Sequence, residues 1–202
     1  MRQAPKATVD SWLRQEALDP LRLVPALLRI QKVPRDPLSP NQALRYLNHV
    51  IFEQGNTSPT IHNLIITFHA ANPVVSSEDD GPLLRFLNTA PSDPLTGKPY
   101  YDLDYALRLC KQTGRTQPCV HIYAKMGLWE SSVDLALDKG DLDLAMINAD
   151  MPPDEDRQLR KRLWLKIARY VVQQKQDIKM CVYITVVTAY THLNWCIGQC
   201  GS

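Results

Sequence analysis

Cysteine and histidine come nearest to a reactive or metal-binding set in this chain of 202 residues. A structural zinc site needs four thiolate or imidazole donors, usually arriving as two close pairs. Cys196 and Cys200 make one loose pair, with His192 nearby and Cys181 as a fourth donor, but no Cys-x-x-Cys spacing occurs. Cys119 and His121 lie two residues apart, so on a helix they point in different directions. The expectation there is a small buried thiol beside a more exposed imidazole. Asp150, Asp154, Glu155 and Asp156 gather ahead of a helical stretch, where carboxylates cap free N–H groups and oppose the helix dipole. Thr96-Gly97-Lys98 lacks the upstream glycine of a phosphate loop, and Pro99 stands where its Ser or Thr belongs. No Gly-x-Ser-x-Gly elbow or His-Glu-x-x-His helix is present, and the five histidines pair with no evident nucleophile. The chain is therefore expected to be no enzyme: no catalytic residue, cofactor-binding residue or metal ligand is assigned, and no cofactor. The residues that bind partners cannot be named from the sequence.

The elements behind these residues read as helices almost throughout, because apolar residues recur at helical spacing and strict alternation never persists. Ser39-Pro40 and Ser58-Pro59 both fit an N-cap followed by proline at the first helical position. Ala43, Leu44, Leu47, Val50 and Ile51 follow the first; Ile61, Leu64, Ile65 and Phe68 follow the second. A short loop with Gly55 and Asn56 joins them, which predicts an antiparallel hairpin. A similar pair precedes it, with Trp12, Leu13 and Leu18, then Leu23, Ala26, Leu27 and Ile30. Residues 72–82 and 89–99 are rich in Pro, Asp, Ser and Gly and read as connections around a short helix at 83–87. Further helices carry Leu103 to Cys110, Cys119 to Met126, and Trp129 to Leu137, and another carries Leu142, Leu144, Ala145, Ile147 and Ala149. Met151-Pro152-Pro153 ends that run, and the longest helix follows, with Leu159, Leu163, Ile167 and Val171 on one face. Arg157, Arg160, Lys161, Arg162, Lys166 and Arg169 fill much of the rest of it, and this is read as a solvated outer face rather than one that docks on acidic lipid or an acidic partner. Helices this short are marginal alone and stabilise one another by stacking, as in a solenoid.

Composition limits the alternatives. Hydrophobic residues make up 45% of the chain and the net charge is only +2, which excludes a disordered tail. With 23 basic residues against 21 acidic, nucleic acid is not the expected partner. Five cysteines without close pairs argue against a disulfide framework. The first ten residues mix Arg2, Lys6 and Asp10 with no apolar core, so neither a signal peptide nor an anchor is expected there.

Several blocks resemble one family. They are Leu83-Leu84-Arg85-Phe86-Leu87, Tyr101-Asp102-Leu103-Asp104-Tyr105-Ala106-Leu107-Arg108-Leu109-Cys110, Cys119-Val120-His121-Ile122-Tyr123, Val133-Asp134-Leu135-Ala136-Leu137 and Leu159-Arg160-Lys161-Arg162-Leu163-Trp164-Leu165-Lys166-Ile167-Ala168. Their order and spacing across about 83–172 are similar to the central region of the vacuolar protein sorting-associated protein eighteen, or deep orange, family. Agreement over 9–71 is looser, best at Trp12 and Leu23 to Arg29. The resemblance implies an all-α fold, an α-solenoid of stacked antiparallel helix pairs of the clathrin heavy-chain repeat type. It implies a non-catalytic scaffold in the HOPS and CORVET vesicle-tethering complexes, serving transport from endosome to vacuole or lysosome and membrane docking and fusion. The implied partners are the other class C vacuolar protein sorting subunits and, indirectly, Rab GTPases and the fusion machinery. The implied location is the cytosol and the cytoplasmic face of late endosomes and the vacuole or lysosome, with peripheral membrane association through the complex. The family's β-propeller and zinc-binding RING have no counterpart in this sequence, and weakened binding to the core is expected from the missing RING.

The domain expectation is a disordered N-terminus at 1–8, the α-solenoid at 9–179 and a divergent tail at 180–202. That tail holds no charged residue, and its length raises the question of a membrane span. Thr185, Thr188, Thr191, His192 and Asn194 interrupt it, and its β-branched residues suit a strand equally well. A non-homologous end produced by truncation, splicing or a retained intron, a packed or sticky segment, and an anchor all remain open. The anchor reading would make the chain a small membrane-anchored helical-repeat adaptor.

Overall fold

A computed structural model describes residues 5–15, 17–33, 40–70, 80–153 and 156–175. These residues form ten α-helices and one isolated antiparallel bridge, Ser92 with Pro99. The fold class expected from periodicity, all-α, is the one observed. The chain divides into two compact units, Met1–Pro118 and Cys119–Ser202.

The first unit contains α1 (Pro5–Leu13), α2 (Pro20–Gln31), α3 (Gln42–Asn48), α4 (Pro59–Ala70), α5 (Gly81–Thr89) and α6 (Leu103–Gln112). Helix α1 opens at Pro5, so residues 5–8, expected outside the fold, are helical. Leu18, expected on the first helix, lies beyond its end, because the chain turns after Leu13 and restarts at the Asp19 cap of α2. Ser39 lies outside the described residues, and the helix expected after it starts later than Pro40. Asn41 is the cap of α3, its side chain accepting from the N–H groups of Ala43 and Leu44 at 3.0 and 3.3 Å. An amide oxygen in that position satisfies two donors that proline at residue 40 cannot help. Helix α3 ends in one wider turn, His49–Glu53, closed by the Gln54 N–H on the His49 carbonyl. As expected, α4 begins at Pro59, with the Ser58 carbonyl accepting from Ile61 and His62. Helix α3 packs on α1, α2 and α4, and α4 in turn on α5 and α6. Leu27, Ala43, Leu47, Val50, Ile51, Ile61, Ile65, Ile66 and Leu87 are wholly buried in this unit.

Helix α7 (Thr116–Lys125) carries the unit boundary in its first turn. The second unit continues with α8 (Trp129–Asp138), α9 (Leu142–Asp150) and α10 (Arg157–Tyr170), which leads into a wider turn, Val171–Lys175. Helices α8, α9 and α10 pack on one another around Val133, Ala136, Ala145, Ala149, Leu163, Ile167 and Val171, each 0% exposed. The four-residue stripe expected on the longest helix is thus its buried edge from Leu163 onward, with Leu159 partly buried against it. One expectation fails on α9. Ile147 is 58% exposed and Asn148 faces inward instead. The Asn148 side chain donates to the Leu144 carbonyl and accepts from the Ser132 hydroxyl, both at 2.8 Å, which satisfies a buried amide that would otherwise be costly.

A repeat that the sequence carries in plain view runs from α6 to α8. Gly114, Gly127 and Gly140 are spaced thirteen residues apart and share positive φ values of 71°, 73° and 74°. Each ends a ten-residue helix in the same way. The residue after each glycine donates to the carbonyl five back (Arg115 to Cys110, Leu128 to Tyr123, Asp141 to Ala136), and the glycine itself donates to the carbonyl three back. This is the paired-bond closure in which a left-handed residue is required and glycine has no Cβ to strain. The same spacing recurs in the buried positions, with small side chains at Ala106, Cys119, Ser132 and Ala145.

Candidate functional site

The residues singled out for chemistry are occupied by structure. Asp156 caps α10, accepting from the Leu159 N–H at 3.1 Å. Asp150 accepts from the indole N–H of Trp164 at 2.9 Å and so ties the end of α9 to α10. The capping expectation holds for Asp156, while Asp154 and Glu155 lie outside the described residues. The loop holding Thr96, Gly97 and Lys98 is a closed turn around Asp93, whose carboxylate accepts from the Leu95 N–H and the Thr96 hydroxyl at 3.0 and 2.8 Å. Those bonds lower the Asp93 pKa, and Leu95 stands 94% exposed at the tip. Cys119 is buried and His121 partly exposed, as their spacing predicts. Cys181, His192, Cys196 and Cys200 lie outside the described residues. Among the described residues no three His, Cys, Asp or Glu side chains gather in a metal-holding arrangement, and no helix is long and apolar enough to cross a membrane.

The basic helix is partly spent on its own fold. The Arg160 guanidinium donates to the Pro152 carbonyl at 2.6 Å, closing the turn between α9 and α10. Lys166 pairs with Asp134 at 2.7 Å and Arg162 with Glu130 at 3.6 Å, so two cations four residues apart on α10 meet two carboxylates four apart on α8. Both pairs are exposed, and each is worth less than about 1 kcal/mol. The solvated-face reading of this helix fits that arrangement.

Two polar features were not foreseen. Arg115 and Asp80 form an ion pair at 3.1 Å, with side chains 5% and 7% exposed. A second guanidinium nitrogen of Arg115 points to the Ala70 carbonyl at 3.5 Å. One arginine thereby joins the end of α4, the start of α5 and the turn after α6. Thirty-five residues separate the pair in sequence, so no local pattern announces it. The second feature is an aromatic cluster centred on Phe86, with Phe52 edge-on at 6.2 Å, His69 stacked at 6.1 Å and Tyr101 at 6.4 Å. His62 completes it, wholly buried, its Nε2 donating to the Asn56 carbonyl at 2.7 Å, which leaves Nδ1 as the bare nitrogen. Burial holds both rings neutral: it lowers the His62 pKa and brings that of His69 to about 4. The same burial raises the Tyr101 phenol.

The depression beside Arg14, Gln15, Ala17 and Leu18 is shallow and open. What the arrangement does is fix helices against helices: caps, glycine closures and two buried polar ties.

Known proteins give the same architecture. Residues 1–172 match the family model described as VPS18, alpha-solenoid domain, second half. The vacuolar sorting protein 18 of Arabidopsis thaliana is 40% identical over 174 residues, covering 85% of this chain and 17% of that protein. The vacuolar protein sorting-associated protein 18 homolog of Danio rerio is 41% identical over 180 residues, 89% of this chain and 17% of that protein. The vacuolar membrane protein pep3 of Schizosaccharomyces pombe is 35% identical over 175 residues, 87% of this chain and 18% of that protein. The chain spans less than a fifth of the length of these curated relatives. Matched over most of its length, on helices whose spacing and turns already describe a stacked repeat, the chain belongs to the VPS18 family as part of its α-solenoid domain.

Proposed function

We propose that this chain is a non-catalytic scaffold segment of a vesicle-tethering subunit of the HOPS and CORVET type. It acts in transport from endosome to vacuole or lysosome and in membrane docking and fusion. The observation that carries the reading is the family match over residues 1–172, joined to a fold in which capping carboxylates such as Asp156 and the buried Arg115–Asp80 pair hold helices in place. The names of the relatives speak of vacuolar sorting and the vacuolar membrane. Its partners on this reading are the other class C subunits and, through them, Rab GTPases and the fusion machinery, on the cytoplasmic face of late endosomes and the vacuole. A helical stack separates binding surfaces by a fixed distance without needing a large core.

A chimera tests this. The matching segment of the Schizosaccharomyces pombe relative is replaced by residues 1–172 and expressed in cells lacking that relative. Restored vacuolar sorting supports the scaffold reading. A chimera that is expressed and folded, yet sorts no better than the deletion strain, overturns it.

A further inference from the structure

We propose that the outer face of α10 is a docking ridge for an acidic amphipathic helix of another protein. Leu165 is 54% exposed, on the side of the helix away from Leu163 and Ile167, and Val172, equally exposed, follows in the wider turn after α10. Lys161 and Arg169, both exposed, stand four residues before and after Leu165. Lys161, Leu165 and Arg169 form one stripe on α10, because positions four apart share a helix face. Neither Lys161 nor Arg169 has an ion-pair partner among the described residues, unlike their neighbours.

The neighbouring stripe shows what such a surface takes. Arg162 and Lys166 are met by Glu130 and Asp134 of α8, a helix that buries Val133, Ala136 and Leu137 beside them. Helix α10 therefore already holds one partner through carboxylates spaced four apart flanking apolar residues. Its outer stripe sets Leu165 between two cations and calls for the same complement. A second copy would set Lys161 and Arg169 against their own kind across a two-fold axis. An anionic membrane is the weaker occupant, because α8 already pairs two of the helix's cations and so little exposed apolar surface is a shallow anchor. The ridge belongs to one helix and holds whichever complex the chain serves.

The test uses the full chain and two labelled synthetic helical peptides of three heptads that share their leucines. One carries Glu at the flanking positions and the other Lys. Fluorescence anisotropy at low salt should show the Glu peptide bound at least about tenfold more tightly. The double variant Lys161→Glu/Arg169→Glu should invert that preference, and Leu165→Asp should weaken both peptides, with circular dichroism melts reporting that the variants fold. The charge-reversal variant decides the matter should Leu165→Asp fail to fold. Absence of Glu-peptide binding, equal binding of the two peptides, or a preference unmoved by charge reversal overturns the proposal. So does binding to phosphatidylserine vesicles without peptide binding, or a dimer in sedimentation velocity that Leu165→Asp dissolves.

Discussion

The two units stabilise helix pairs by different means. In the second, the described interior is almost wholly apolar, small side chains recur every thirteen residues, and the buried Ser132 and Asn148 satisfy each other. In the first, helices meet through longer connections, and the interior holds a buried ion pair and two neutral histidines among aromatic rings. Where one short turn joins each helix to the next, the turn sets the packing and little else is needed. Where connections are long, α4, α5 and α6 are brought together by groups far apart in sequence, and Arg115 supplies the tie that a turn cannot.

That contrast can be broken most severely at Arg115. Arg115→Ala leaves the Asp80 carboxylate buried and unpaired, and the expected cost is about 3–5 kcal/mol, read as a lower urea midpoint with little change in slope. The double variant Asp80→Leu/Arg115→Met should recover most of this, because removing both charges together relieves the desolvation of each. In the second unit the equivalent blow is apolar: Leu163→Ala, at a side chain with no exposure, should cost about 2–5 kcal/mol.

Acid sharpens the difference between the units. His69 has a folded pKa of about 4 against an ordinary 6.5, and that of His62 is lowered too. A depressed folded value means that stability is fully present above pH 6.5 and is lost as the pH falls from there toward 4. Hydrogen exchange should rise first in α4 and α5 over that range while α8 to α10 stay protected, and His69→Phe should flatten the slope. Gly127→Ala is a smaller change. A Cβ there meets nothing within 4 Å, so only the left-handed backbone matters, at about 1–2 kcal/mol. Lys166→Ala, in an ion pair with side chains 37% and 52% exposed, should move the urea midpoint least, by about 0.5 kcal/mol or less.

These differences also explain what the sequence discloses. The helices from Leu103 to Asp150 are legible nearly to their ends, because glycine closures and the caps Asp102 and Asp141 are written next to the apolar stripes they bound. The thirteen-residue repeat was equally present, at Gly114, Gly127 and Gly140, and comparing the buried small residues at that spacing would expose it. Asn148 misleads because hydropathy favours Ile147, and only the hydroxyl of Ser132, sixteen residues away, makes the inward amide the better choice. Asn41 competed with the more familiar Ser-Pro signal and prevailed because its amide reaches two N–H groups. The Arg115–Asp80 tie and the ring cluster around Phe86 depend on contacts over long separations, which periodicity does not encode. The exposed ridge on α10 was visible as charge, but Leu165 became notable only once the buried edge of the helix was known.

The evenly spaced glycines make length itself a conserved quantity for any descendant of this chain. A single amino acid inserted within α8 would swing every later side chain on that helix through about 100° and turn Ala136 and Leu137 away from their neighbours. Two such blocks together, one antiparallel helix pair, could instead be added or deleted with each remaining face still meeting its match. Such a molecule evolves by changing how many rungs it has more readily than by changing the size of one.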